Sequence, residues 1–134
     1  MEKVPVTREK LNEVLKKIVE ERPEYVYQKP AGFTHSDGVC RYVHLKGDGY
    51  VPGCLIGHLL NRLGVSLEDI IPFEGGPAST IVSRLIDVDS RNIKALDWAQ
   101  NAQDSGEPWG EAYQAYLHAL SLLDQWPTGE SKGE

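Results

Sequence analysis

Cys54 and His58 are the residues whose types and spacing best suit chemistry. They lie four residues apart in the segment Val51–Gly64, which predicts the end of a strand, a tight turn, a three-turn helix and a glycine stop. Residues at i and i+4 share one face of a helix. Cys54 falls in the first turn of this helix, where unpaired backbone N–H groups favour a thiolate. A cysteine nucleophile with a histidine base is the arrangement of Cys–His hydrolases and transferases.

Two histidines could serve as the base for Cys54. His58 lies one turn further on, but partners on the same helix rarely align well. His44 lies on a predicted strand and suits the role better, because papain-like sites place the histidine on a strand facing the cysteine helix. No complete signature supports catalysis. The sequence therefore favours the simpler interpretation, in which Cys54 is a small apolar side chain packed between helix and sheet.

Zinc binding is a further alternative for the same residues. Cys54 and His58 could form one arm of a tetrahedral site, completed by Cys40 and by His44 or His35. On a regular strand, however, Cys40 and His44 would lie about 13 Å apart, too far for one ion. We therefore expect no cofactor, with zinc as the minor alternative.

Length and composition indicate a small globular protein. The 134 residues, 40% of them hydrophobic, predict a single domain over residues 1–126 and a disordered tail over 127–134, which lacks apolar residues. The net charge of −6 disfavours nucleic-acid binding. Neither a signal peptide nor an apolar run of about 18 residues is present, so we expect a cytoplasmic protein that does not bind membranes.

The first half of the chain predicts two helices around a small sheet. Thr7 can cap an amphipathic helix that ends at Pro23 and buries an apolar stripe of Leu11, Val14, Leu15, Ile18 and Val19. Strands are predicted at Tyr25–Gln28 and Val39–Lys46, and Tyr50–Val51 returns antiparallel after a glycine turn. The fold class is therefore α+β: helix-dominated, with an antiparallel sheet of two or three strands between the first and central helices.

The second half predicts short helices followed by a helix pair. Ser66 begins one short turn, and Phe73–Pro77 is predicted as a flexible linker. Three further helices are predicted: one over 78–86, one that is capped by Asp89 or Ser90 and runs to Asp104, and one over 109–123. The last two helices are expected to be antiparallel.

Two sets of side chains on the last helices allow alternative roles. The polar run of Gln100, Asn101, Gln103 and Asp104 predicts a solvated face, or alternatively a surface that binds a small ligand by amide hydrogen bonds. The aromatic side chains predict the core of the helix pair, or alternatively a recognition surface; they are Trp98, Trp109, Trp126, Tyr113 and Tyr116.

The chain contains the pattern Cys…Pro-x-Cys-x-x-Gly-His…Gln-Asp-x-Gly-x-x-Trp. The pattern is spread over three stretches, Gly38–Val43, Pro52–His58 and Gln103–Ala112. In this pattern the chain resembles a group of small uncharacterised proteins of actinobacteria and their phages. The resemblance implies a bacterial or viral protein in the cytoplasm, the host cytoplasm if phage-encoded, and it implies no activity. Without a complete catalytic motif, we expect a non-enzymatic protein that binds a protein partner or forms a homo-oligomer. A Cys–His enzyme and a zinc-stabilised module are the alternatives.

Overall fold

The computed structural model describes residues 3–27, 42–46, 49–74 and 76–125. The elements follow in the order β1 (Val4–Pro5), α1 (Arg8–Glu21), β2 (Val43–Lys46), β3 (Gly49–Pro52), α2 (Leu55–Arg62), α3 (Leu67–Ile70), a 3-10 turn (Ile71–Phe73), α4 (Ala78–Leu85), β4 (Ile86–Asp87), α5 (Ser90–Asp104) and α6 (Trp109–Gln125). The fold is the predicted helix-dominated α+β arrangement, with the antiparallel β2–β3 pair between α1 and α2.

Helix α1 forms as its sequence pattern predicts. The Thr7 hydroxyl accepts a hydrogen bond from the Lys10 N–H at 3.0 Å, which satisfies one donor of the first turn. The predicted apolar stripe is buried. These residues join the single cluster of buried side chains that the helices enclose, so α1 is held by one apolar face while its charged faces meet solvent.

The predicted strand at Tyr25–Gln28 is wrong for Tyr25–Tyr27, which lie in no strand. The backbone of this segment has other partners: the Pro23 carbonyl accepts the Gly110 N–H at 2.7 Å, and the Tyr25 carbonyl accepts the Trp109 N–H at 2.9 Å. Both carbonyls thus cap the start of α6, and the Tyr25 carbonyl makes this bond instead of one to a neighbouring strand. Gln28 lies outside the described residues.

The β2–β3 hairpin pairs Val43 with Pro52 and Lys46 with Gly49. It confirms the predicted antiparallel return, although β2 begins at Val43 and positions 39–41 of the predicted strand lie outside the described residues. A second pair was not predicted: β1 and β4 are parallel, with Val4 opposite Ile86. Two-residue strands are too short to show an alternating pattern.

The central helix is shorter than predicted, since α2 runs for 8 residues, a little over two turns. Cys54 is its N-cap residue and not a member of its first turn. Gly64 ends this segment as predicted, with a φ of 107° that suits glycine. Ser66 and Asp89 are confirmed as the N-caps of α3 and α5.

The interpretation of Phe73–Pro77 as a flexible linker is wrong for Glu74 and Gly76. The two carboxylate oxygens of Glu74 accept hydrogen bonds from the backbone N–H groups of Tyr42 and Val43, both at 2.9 Å. The Gly76 carbonyl accepts the Tyr42 hydroxyl proton at 2.6 Å. These bonds fix the segment against the start of β2.

A polar network joins α1, α5 and α6 inside the fold. Asn92 is fully buried, and its side chain accepts from Arg8 Nε at 2.6 Å and donates to the Tyr116 hydroxyl at 2.7 Å. The Tyr116 hydroxyl in turn donates to the Asn12 side chain. Burial raises the pKa of Tyr116 to about 12. With its donors and acceptors paired, this network can be buried without a large desolvation cost.

The last two helices pack as an antiparallel pair. Asn92 near the start of α5 bonds to Tyr116 in the middle of α6, while Gln103 near the end of α5 bonds to Trp109 at the start of α6. This confirms the orientation expected from the short connection. Within the described residues, no helix has the length and apolar content needed to cross a membrane.

Gly57 marks a close approach of α2 to the backbone of Tyr42. A Cβ added there would lie 2.0 Å from the Tyr42 carbonyl oxygen. We expect Gly57→Ala to lower the free energy of unfolding by about 3 kcal/mol or more, because backbone must shift to relieve the overlap. Urea unfolding followed by circular dichroism measures this change.

The control is Gly49→Ala on β3, where an added Cβ meets nothing within 4 Å. This variant should unfold within about 1 kcal/mol of the wild type. Equal losses at the two positions would show that close packing at Gly57 is not what limits stability.

Candidate functional site

Gln103 links the start of α2, beside Cys54, to the start of α6. Its side-chain oxygen accepts the backbone N–H of Leu55, the first residue of α2, at 2.9 Å. The same oxygen accepts the indole N–H of Trp109 at 3.0 Å. The N-cap residue Cys54 makes no side-chain cap bond, so Gln103 caps α2 from another helix.

Gln100, one turn earlier on α5, performs the same task for α4. Its side-chain oxygen accepts the Ala78 N–H at 2.6 Å, and its amide nitrogen donates to the Tyr42 hydroxyl at 2.5 Å. Asp97 adds a second cap by accepting the Ser79 N–H at 2.7 Å. The N-cap residue of α4 is Pro77, whose side chain carries no acceptor.

The predicted solvated face is therefore wrong for Gln100 and Gln103, which are buried, while Asn101 and Asp104 are exposed. The spacing of the buried residues offered a signal that the sequence interpretation missed. The buried stripe of α5 keeps helical spacing and includes both apolar and polar residues. Its members include Asn92, Leu96, Ala99, Gln100 and Gln103. Glutamine at a core position predicts a buried amide with partners.

Trp109 lies at the centre of a group of aromatic and cationic side chains, which we call the Trp109 cluster: Arg22, Tyr25, His58 and Trp109. The Trp109 ring is 4.8 Å from the Tyr25 ring and 5.3 Å from the His58 ring, both edge-to-face. The Arg22 guanidinium lies 4.6 Å from the Tyr25 ring centroid and 5.1 Å from the Trp109 centroid. Trp109 itself is fully buried.

Charges near His58 oppose its protonation. Burial of the imidazole, followed by the positive charges of Arg22 and Arg62, lowers the pKa of His58 to about 4. Arg62 donates two hydrogen bonds to Glu21, at 2.9 and 2.5 Å. At neutral pH His58 is therefore a neutral imidazole beside two guanidinium groups.

The structure places the predicted catalytic residues as follows. Cys54 is 0% exposed, so its thiol has no contact with solvent. His44 lies on β2, and its Nε2 is 2.7 Å from the Tyr27 hydroxyl. His58 contacts the Trp109 ring. Burial of Cys54 matches the simpler interpretation of a packed side chain.

Only part of the predicted zinc set can be located. Cys40 and His35 lie outside the described residues. Over the residues that the structure does describe, no three histidine, cysteine, aspartate or glutamate side chains form a group that could hold a metal ion.

A second candidate surface lies on the outer side of α5 and α6. Trp98 is 49% exposed, and its ring lies 6.4 Å from the exposed His118 ring on α6. Leu122, one turn beyond His118, is 39% exposed. We call these three side chains the Trp98 face. The aromatic residues are thus divided, because Trp109 and Tyr116 are core residues while Trp98 is at the surface.

Comparison of the chain with protein-family models, with curated proteins and with solved structures finds no match. The functional interpretation therefore depends on the two surfaces described above and on the chemistry of their side chains.

The cap supplied by Gln103 can be tested by Gln103→Met, which keeps the side-chain length and removes the acceptor. The Leu55 N–H and the Trp109 indole N–H would both lose their partner, so we expect the free energy of unfolding to fall by about 2 to 4 kcal/mol. Chemical denaturation measures it. The same substitution at the exposed Gln114 on α6 should change it by less than about 0.5 kcal/mol. Similar losses in both variants would contradict the capping role.

The depressed pKa of His58 predicts a pH-dependent stability. The unfolded chain protonates this imidazole near its ordinary value of 6.5 and the folded chain only near 4. Between these values the unfolded state binds more protons, so stability falls as the pH drops through that window. Urea unfolding at a series of pH values should show this slope in the wild type and in His118→Gln but a shallower one in His58→Gln. Parallel profiles for all three proteins would rule out His58 as the cause.

Proposed function

We propose that this protein acts by binding another protein, or a second copy of itself, through the Trp98 face, and that it catalyses no reaction. The observation that carries the proposal is the half-exposed Trp98 ring beside His118, with the exposed Leu122 one turn further along α6. Tryptophan is enriched at the centres of protein interfaces because its ring buries a large apolar area with little loss of conformational freedom.

The backbone beneath the Trp98 face supports an interface role. Trp98 extends from α5, whose flanking residues Ala95 and Ala99 are fully buried. The α5–α6 pair is fixed by the bonds of Asn92 and Gln103, so its outer side chains project from a rigid support. A rigid surface loses little backbone entropy on binding, which favours affinity.

Net charge and the resemblance guide the choice of partner. The net charge of −6 disfavours the phosphate backbone of nucleic acids, which requires clustered lysine and arginine. The resemblance supports a bacterial or phage protein in the cytoplasm, and a partner from the same compartment follows from it. The Cys–His enzyme reading gains no support, since the Cys54 thiol is completely buried.

The proposal predicts that Trp98→Ala lowers affinity for the partner at least about tenfold, because interface tryptophans often contribute 2 kcal/mol or more. Sedimentation of the purified protein measures self-association. Affinity capture from bacterial lysate, with each captured protein then produced and titrated separately, measures hetero-association.

The control is Tyr50→Ala on β3, which removes a side chain that is 46% exposed and belongs to a different surface. It should leave the affinity unchanged, and both variants should unfold within about 1 kcal/mol of the wild type. A monomeric protein whose captured partners bind Trp98→Ala and wild type equally would refute the proposal.

A further inference from the structure

Arg22 differs from three of the other described arginines in its partners. Arg8, Arg62 and Arg91 each have a carboxylate oxygen within hydrogen-bonding distance, at 2.9, 2.5 and 2.7 Å. Arg22 makes no such ion pair within the described ranges. Its guanidinium lies instead over the rings of Tyr25 and Trp109.

Contact with two rings restricts the guanidinium, and its charge interacts with that of Glu21 without an ion pair in the described ranges. The interaction of a cation with ring faces constrains the plane of the group. The two rings are inclined at 76° to each other, so the guanidinium can lie flat on only one of them, and only the N–H groups that face away from both rings are available to a solute. Arg22 is exposed, so a solute can reach these groups.

The surroundings of Arg22 are also positive. Arg62 acts together with Arg22 on the imidazole of His58, where the charges of both arginines oppose protonation. Glu21 is the carboxylate beside them, and its two oxygens are bonded to Arg62. Two guanidinium groups and one carboxylate leave Arg22, Arg62 and Glu21 together with a net charge of +1.

We propose that the Trp109 cluster, with Arg62 beside it, binds the oxyanion of a small molecule, a phosphate or carboxylate group, through the guanidinium of Arg22. Two parallel N–H···O bonds from the guanidinium edge match the geometry of both anions. The positive charge of Arg62 strengthens the attraction, and the neutral imidazole of His58 can donate one further N–H. This site shares no residue with the Trp98 face, and it is independent of the proposed protein binding.

The direct test is a titration of the full-length ¹⁵N-labelled protein with inorganic phosphate, and separately with acetate, at constant ionic strength. The signals to follow are the Arg22 Nε–H and the Trp109 indole N–H. We expect saturable shifts of both signals with at least one anion, and the arm that saturates identifies phosphate or carboxylate as the group bound.

The matched variants are Arg22→Gln and Arg84→Gln. Arg84 also lies over a ring, 5.7 Å from the Phe73 centroid, but outside the Trp109 cluster. Loss of a bidentate charged contact should weaken binding at least about tenfold in Arg22→Gln, and Arg84→Gln should bind as the wild type does. Three results would overturn the proposal. The shifts would fail to saturate with either anion, chloride would produce the same shifts, or the shifts would persist in Arg22→Gln.

Discussion

The side-chain oxygen of Gln103 accepts two buried N–H groups, from the backbone of Leu55 and from the indole of Trp109. The rest of the structure depends on this kind of cap. Helices α2 and α4 begin inside the protein without side-chain caps of their own, and a buried unpaired N–H costs about 1 to 3 kcal/mol. Gln103 and Gln100 supply the missing acceptors from α5, and the Pro23 and Tyr25 carbonyls do so for α6. The helices α2, α4 and α6 are therefore capped by segments distant in the sequence.

Tyr42 connects these caps to the small hairpin. Its hydroxyl accepts from Gln100 and donates to the Gly76 carbonyl, while its own carbonyl accepts the Gly53 N–H at 2.8 Å. The absence of a side chain at Gly57 lets α2 approach this same carbonyl. The hairpin, α2, α4 and α5 are thus arranged around one residue, and His58 of the Trp109 cluster lies on one of these elements.

The local patterns of the sequence predicted most of the helices. Apolar periodicity and capping residues located α1, α5 and α6, because both depend on residues close together in the chain. The predictions that were wrong concern residues whose partners are distant in the sequence. Tyr25–Tyr27 has the composition of a strand, but the Tyr25 carbonyl caps α6. Gln100 and Gln103 have the polarity of a surface, but their partners lie 22 and 48 residues away.

The candidate site was predicted in part. His58, a candidate base, lies on the predicted helix, and Trp109 was predicted as a residue of the core or of a recognition surface. The contact of His58 with Trp109 and the stacking of Arg22 could not be predicted, because they join α1, α2 and α6 across the fold. The burial of Cys54 follows from the same packing, which places the N-terminus of α2 against α5.

The caps donated by α5 also have a consequence for the order of folding. Contacts within the α5–α6 pair are close in sequence and form early, whereas α2 and α4, of 8 residues each, are too short to persist alone. Their caps can form only after α5 exists. We therefore expect the glutamine bonds to Leu55 and Ala78 to form late in folding, and to act mainly by slowing the first opening of the native protein.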